Sequence, residues 1–250
     1  MRKHNLHTHT TYSDGDLSPE QLVESAKQSN LEIIGICDHA FSTKISENYQ
    51  ITSRLEQYLN HLKKLQQSSN GINLKIGVEI DVSETYGTKP SELPFDILNR
   101  FDYILFEYVN TENESWGRVG SRDISEIIEV RNRLKIPVGL AHNDLQKNYE
   151  GREKEIAMIL SKNNIFIELN QSECHPSREE GRNTREDSDY YQLFSDKLIE
   201  HLAKPKGLPF IKNVKFVVGT DSHSGKNLDE VNDAYQFIKK NHLSYHDLVK

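Results

Sequence analysis

Two cysteines, Cys37 and Cys174, are all that 250 residues contain, and they lack the paired spacing of a zinc knuckle. Too few to build a disulfide framework, they point to a reducing, cytoplasmic setting. No apolar run approaches the roughly 18 to 20 residues of a membrane span. The opening Met1-Arg2-Lys3-His4-Asn5 leads into no apolar stretch, so no signal peptide is expected. No excess of basic residues is present either: the net charge is −7. That balance argues against a broad face for long nucleic acid, where phosphate contacts supply much of the affinity. A small phosphorylated substrate is not excluded, because bound divalent ions would reverse the local field of a pocket. Low-complexity tracts, internal repeats and Pro/Gly-rich linkers are missing as well, so residues 1–250 are expected to form a single domain.

What the chain has is alternation. Short apolar, β-branched runs recur at Leu31 to Cys37, Ile72 to Ile80, Tyr103 to Val109, Ile136 to Ala141, Ile165 to Leu169 and Val214 to Gly219, with a shorter one around Asn5 to His7. Runs of this kind suit strands covered on both faces, as in parallel sheets. Between them, Ser18-Pro19-Glu20-Gln21 reads as N-cap, first-turn proline and capping-box glutamine for a helix to about Ser29. Apolar spacing predicts further helices at Glu47 to Gln67, Asp123 to Leu134, Gly151 to Ser161, Asp189 to Ala203 and Leu228 to Lys240. Strands alternating with helices imply an α/β fold with a parallel sheet. A barrel is favoured over an open sheet because no Gly-rich phosphate loop follows the first strand.

The polar residues at the strand ends carry the chemistry. His7, His9 and Asp14 follow the first strand, Asp38 and His39 the second, and Glu79 ends the third. His142 ends the fifth, and Asp221 and His223 follow the seventh. In a β/α barrel these ends converge on one face, where active sites are built. Each group alone has a bland explanation: Asp38 and Asp221 as helix or turn caps, Glu79 as a buried carboxylate satisfied by backbone donors, His-x-His as two rings on one strand face. Together, at one end of successive strands, they read as metal ligands. The mixed nitrogen and oxygen set suits zinc, manganese or iron, and a carboxylate can bridge two ions about 3.5 to 4 Å apart for an in-line displacement. Cys37, within a buried strand, reads as a small core residue.

The ordered motifs resemble the PHP (polymerase and histidinol phosphatase) family. They are HNLHTHTTYSDGDLSPEQLVESAKQSNLEIIGICDHA at the start, GVEID around Glu79, LAHND around His142, IELN ending at Asn170 and GTDSH around Asp221. The resemblance implies a distorted (β/α)7 barrel with two or three divalent ions and phosphoesterase chemistry. His7, His9, Glu79 and Asp221 would hold one ion, and Asp14, His39 and His223 another. Glu79, bridging, and His142 would serve the remaining one, with Asp14, His39, Glu79 and His223 closest to catalysis. The chain departs from the family at two points. Val109 stands where a strand-end histidine is usual, with Glu107 two residues earlier on the expected same face as ligand or outer support, and Asn143 replaces a proline.

Arg118, Arg122, Arg178, Arg182 and Arg185 lie in polar segments after strands and are candidate phosphate contacts. His175 is a candidate acid for the leaving group, and all six could equally be solvated surface groups. His4, His61, His201, His242 and His246, away from the strand ends, are expected at the surface. The expected reaction is hydrolysis of a small phosphomonoester by a metal-activated hydroxide. The alternatives are a histidinol-phosphate phosphatase, a nucleotide phosphodiesterase, a phosphotyrosine phosphatase, or a non-catalytic metal-binding module. An amidohydrolase would want a bridging lysine after a middle strand, which the sequence does not offer.

Overall fold

The computed structural model describes residues 2–43, 46–110, 121–171, 190–203 and 212–249. The strands are β1 (His4–Asn5), β2 (Ile33–Ile36), β3 (His39–Ala40), β4 (Asn73–Ile76), β5 (Glu79–Asp81), β6 (Ile104–Glu107), β7 (Val138–Leu140), β8 (Ile165–Asn170), β9 (Lys215–Gly219) and β10 (Ser244–Tyr245). Among the described residues eight α-helices alternate with them: α1 (Pro19–Gln28), α2 (Leu55–Ser68), α3 (Phe95–Leu98), α4 (Ile124–Arg131), α5 (Leu145–Asn148), α6 (Glu153–Asn163), α7 (Asp196–Ala203) and α8 (Asn232–Lys240). All the strand pairs among the described residues are parallel, as near-continuous apolar runs require.

Strands β1, β2 and β4 form one sheet, and β10-β9-β8-β7-β6-β5-β3 the other. The two are not separate layers. After a short break β3 continues β2 and β5 continues β4, and pairing persists across the breaks: Gly77 N donates to Ile36 O at 2.7 Å and Leu105 N to Val78 O at 3.0 Å. Leu6 N donates to Val218 O and His9 N to Ser222 O, both at 2.9 Å, which joins β1 to β9. The hydrogen bonding thus returns to its start through seven strand positions, the α/β arrangement expected of a distorted (β/α)7 barrel. The stub β10 pairs with the first two residues of β9 only, whereas β1 takes up the far end.

Tyr103 fills the centre of the ring. A Cβ on Gly35 would lie 2.4 Å from its hydroxyl, and one on Gly77 2.3 Å from its ring. Only glycine at both positions leaves space for the phenol, whose hydroxyl donates to Leu6 O at 2.5 Å. Leu6, Ile33, Leu105, Phe166 and Val217 pack around it, with Cys37 as the small core residue the sequence suggested. Burial pushes the Cys37 thiol well above its ordinary pKa, which suits packing rather than nucleophilic attack.

Helix α1 starts as read: Ser18 and Gln21 form the reciprocal capping box, Pro19 opens the first turn, and Leu22, Val23 and Ala26 are buried. Elsewhere tertiary contacts override helical spacing. The helix expected from Glu47 begins only at Leu55, because the preceding chain is tied to the end of β3. Ser42 N donates to Gln50 Oε1 at 3.0 Å, and Ile51 N to His39 O at 2.8 Å, which holds Gln50 extended with φ −151°. The helix expected from Asp189 is likewise interrupted before α7, where Ser195 N donates to Gln146 Oε1 at 2.9 Å.

Two of the histidines expected at the surface are buried, His4 completely and His246 nearly so. Both sit at the end of the ring where the strands begin. His4 Nε2 accepts from Val218 N at 3.0 Å, its Nδ1 lies 2.6 Å from the Tyr235 hydroxyl, and Tyr235 and Tyr245 flank its ring edge-on. His246 Nδ1 accepts from Leu248 N at 3.1 Å, with Phe166 5.0 Å away, centre to centre. Sequence position placed them before the first strand or on helices, but β10 pairs with only two residues of β9, and the His4 ring takes up the Val218 N–H beyond them.

Candidate metal centre

The opposite end of the ring gathers the residues at the strand ends. His7 and His9 lie two apart just after β1, so they share a face, while Thr8 points away and donates to Gly35 O at 2.7 Å. His7 Nδ1 is 2.9 Å from Glu168 Oε1, which leaves Nε2 turned inward. That Nε2 is 3.2 Å from His9 Nε2, 3.3 Å from Glu79 Oε1 and 3.5 Å from Asp221 Oδ1. His9 Nε2 is 2.8 Å from Asp221 Oδ1 and 3.6 Å from Glu79 Oε2. Four donors bound about 2.1 Å from one tetrahedral ion would stand about 3.4 Å apart. His7, His9, Glu79 and Asp221 match that spacing.

A second group adjoins it. Asp14 Oδ1 lies 3.3 Å from His223 Nε2 and 3.7 Å from His9 Nδ1, and Asp14 Oδ2 lies 3.6 Å from His39 Nε2. His223 Nδ1 is 2.8 Å from Asp221 O, and a proton on Nδ1 shared with that carbonyl leaves the lone pair of Nε2 facing Asp14. His142 Nε2 approaches Glu79 Oε1 at 3.1 Å. Every residue expected as a ligand therefore converges here. Asp38 does not join them: it accepts from Thr10 N, Thr10 Oγ1 and Ser13 Oγ at 2.5 to 2.8 Å and braces the loop that carries Asp14.

Several strand ends bend sharply to make these approaches. Tyr108, His142 and Asp221 all have positive φ, at 61°, 28° and 50°, a region that non-glycine residues seldom occupy. The bend at Tyr108 corrects one expectation. Glu107 and Val109 do not share a face, because the left-handed residue between them breaks the alternation. Glu107 reaches to 3.7 Å from His39 Nδ1, whereas Val109 packs into the main hydrophobic cluster. Asn143 takes up the adjacent carbonyl, its Nδ2 donating to Val109 O at 2.6 Å.

Charge holds the cluster in opposite protonation states. Burial alone would raise Glu79, yet His7 and His39 hold it well below the usual carboxylate range. Burial would lower His39, yet Glu79 and Asp14 push it well above 6.5. His142 is pushed up to about 9, the attraction of Glu79 outweighing burial. His9 goes the other way, lowered by burial and by the charges of His223 and His39.

Three buried atoms here have no hydrogen-bond partner: Asp14 Oδ1, His39 Nδ1 and Glu79 Oε2. They stand 2.8 to 3.7 Å from groups of opposite charge, so what they lack is a directed hydrogen bond and not electrostatic compensation. All three aim into one cluster of nitrogen and oxygen donors. Divalent cations fit that donor set, and their coordination would satisfy these atoms.

Sequence reading missed Glu168. It is fully buried in β8, its Oε1 on His7 Nδ1 and its Oε2 accepting from His142 N, both at 2.9 Å. Asn170 Nδ2 donates to Oε1 at 2.9 Å, and a Cβ on Gly219 would stand 1.9 Å from that oxygen. One carboxylate thus orients two candidate ligands, an outer support for a metal. The signal was there in a charge inside the apolar run IFIEL.

Of the candidate substrate contacts, Arg122 is described: it follows β6, bridges Val109 and lies 3.5 Å from Glu126. Arg118, His175, Arg178, Arg182 and Arg185 lie outside the described residues.

The PHP domain profile matches residues 5–172. The DNA polymerase/3'-5' exonuclease PolX of Bacillus subtilis (strain 168) is 23% identical over 249 residues, 95% of this chain, and the chain spans 37% of that curated relative's length. Among solved structures, the histidinol phosphate phosphatase of Lactococcus lactis subsp. lactis Il1403, complexed with zinc, L-histidinol and phosphate, aligns with a TM-score of 0.65 at 19% identity over 98% of this chain and 95% of that one. A putative histidinol phosphatase from Listeria monocytogenes aligns with a TM-score of 0.61 at 14% identity, over 93% and 100% of the two chains. At such identities the likeness to these structures is one of fold.

Proposed function

The chain belongs to the PHP domain family, and from that premise we propose that it hydrolyses a small phosphomonoester at a centre of two or three divalent ions. The observation that carries this reading is the convergence of His7, His9, Asp14, His39, Glu79, His142, Asp221 and His223, of which Asp14, His39 and Glu79 each carry a buried atom without a hydrogen-bond partner. His7, His9, Glu79 and Asp221 would hold one ion and Asp14, His39 and His223 another, with Glu79 and His142 serving a third. When bound, such ions supply Lewis acidity for phosphoryl oxygens and lower the pKa of coordinated water.

The remaining work falls to the chain. Glu168 fixes the ring of His7, and the carbonyl of Asp221 fixes that of His223, so both present Nε2 to the cluster. The floor is sealed, since His7, His9 and Glu79 are fully buried, while the side chains of Asp14, Asp221 and His142 are 30%, 27% and 30% exposed. A substrate therefore enters from the rim with its phosphate leading and its leaving group outward. A phosphate dianion suits this geometry, because it would meet the ions at the exposed rim of Asp14, His142 and Asp221 while the rest of the molecule stays in solvent. No covalent nucleophile is needed, and Cys37 lies in the core, not the centre.

The test is a metal count on purified protein together with phosphate release from a panel of monoesters, with and without added Mn²⁺. L-histidinol phosphate leads the panel because a structural relative holds L-histidinol and phosphate. Two or three ions with metal-dependent turnover support the reading. Bound ions without turnover on any monoester or diester would make this a binding module. Absence of ions would overturn the ligand assignment.

A further inference from the structure

Glu107 belongs to none of the ligand sets that the resemblance supplies, yet it is nearly buried and reaches the centre. The geometry points to a further divalent-cation position formed by Glu107 Oε1, Glu79 Oε2 and His39 Nδ1, preferring a hard ion such as Mn²⁺. This inference rests on reading the cluster as an ion centre.

Three observations support it. His39 Nδ1 lies 2.8 Å from Glu79 Oε2 and 3.7 Å from Glu107 Oε1, spacings that bracket the separation of about 3.4 Å for ligands sharing an ion. Despite the 2.8 Å approach, His39 Nδ1 and Glu79 Oε2 are both buried without a hydrogen-bond partner. An ion held between this ring and the two carboxylates would satisfy both atoms. Finally, β6 and β5 pair with Asp81 opposite Glu107, and the left-handed turn at Tyr108 follows at once. That turn ends the strand with Glu107 held toward β5 while Val109 enters the core.

Two carboxylates and one imidazole make a harder set than two histidines with one carboxylate, which shifts preference from Zn²⁺ toward Mn²⁺. A neutral imidazole has one lone pair, so His39 serves either this position through Nδ1 or the Asp14 position through Nε2. Occupancy of the two is thereby coupled. Val109 takes no part, because its side chain packs in the main hydrophobic cluster.

The experiment uses metal-stripped full-length protein, titrated calorimetrically with Mn²⁺ and separately with Zn²⁺, for wild type, Glu107→Gln and Glu107→His. Melting curves of the ion-free proteins verify folding. Glu107→Gln keeps the size and hydrogen bonding of the side chain and is expected to weaken one class of Mn²⁺ binding at least tenfold. Should that variant fail to fold, Glu107→His decides: a ligand role predicts retained binding with selectivity moved toward Zn²⁺, and unchanged selectivity overturns it. Mn²⁺ binding by folded Glu107→Gln equal to that of wild type overturns the Glu107 position alone. Wild-type protein that binds neither ion overturns this position and the phosphoesterase reading together.

Discussion

Both ends of the ring of strands bury histidines, and they do so in opposite ways. Where the strands begin, His4 has both ring nitrogens engaged and two tyrosines at its edges, and burial lowers its pKa to about 4. Where the strands end, His39 and His142 sit among carboxylates that push them above their ordinary values, and His39 Nδ1 has no hydrogen-bond partner. Burial of a histidine says little about its task. The state of its lone pairs, and the sign of its neighbours, separate a structural plug from a ligand. The contrast predicts opposite responses to acid and base as well as to mutation.

The largest effect should come from the strand-end histidines. His9→Ala is expected to lose ion binding and to lower turnover by more than the roughly 10- to 100-fold typical of outer supports, with the fold intact by circular dichroism. Full turnover in metal-free His9→Ala would erase the distinction between the two ends. Next comes Glu168→Gln, which keeps the size of the side chain but removes the charge beside His7. It should weaken metal affinity about 10- to 100-fold in a chelator competition. Unchanged affinity would mean that Glu168 is packing alone.

The smallest effect on turnover, and one read in stability, belongs to His4. The ring takes a proton near 6.5 in the unfolded chain but only near 4 in the folded one. Between those values the unfolded state binds more protons, so stability falls as pH falls. The contribution is fully present above pH 6.5 and lost by about pH 4, amounting to about 3 kcal/mol. Urea unfolding of wild type and His4→Gln across that window should show a shallower pH dependence in the variant. At the other end the sign reverses: His142, with a folded pKa of about 9, stabilises the ion-free protein below pH 6.5 and ceases to as pH rises through 9.

Much of the strand-end cluster was legible because strand periodicity and strand-end position are local properties. His7, His9, Asp14, His39, Glu79, His142, Asp221 and His223 could be named before any contact was known, and so could the Ser18 cap. The opposite end was not legible. The burial of His4 goes with β10 pairing with only two residues of β9, which leaves the Val218 N–H to the His4 ring. No window of sequence around His4 contains that information. Glu107 and Val109 were placed on one face because nothing in Glu107-Tyr108-Val109 announces a left-handed tyrosine, a residue type that rarely adopts that conformation. Gln50 shows the same limit: its bonds to Ser42 and Thr52 interrupt a helical pattern that is real in the sequence.

The positive φ of His142 and Asp221 has a consequence of its own. A non-glycine residue held in a sparsely populated backbone region costs of order 1 to 3 kcal/mol, and here two such residues are candidate ligands at strand ends. The end that gathers the candidate ligands is then locally frustrated, set against thermal endurance for the sake of aim. Exchanging His142 for asparagine, which tolerates this conformation well, should raise the melting temperature of the ion-free protein above pH 9, where the charge of His142 no longer stabilises the fold, even as it removes a ligand. Heat resistance and ion capture pull on the same backbone torsion in opposite directions.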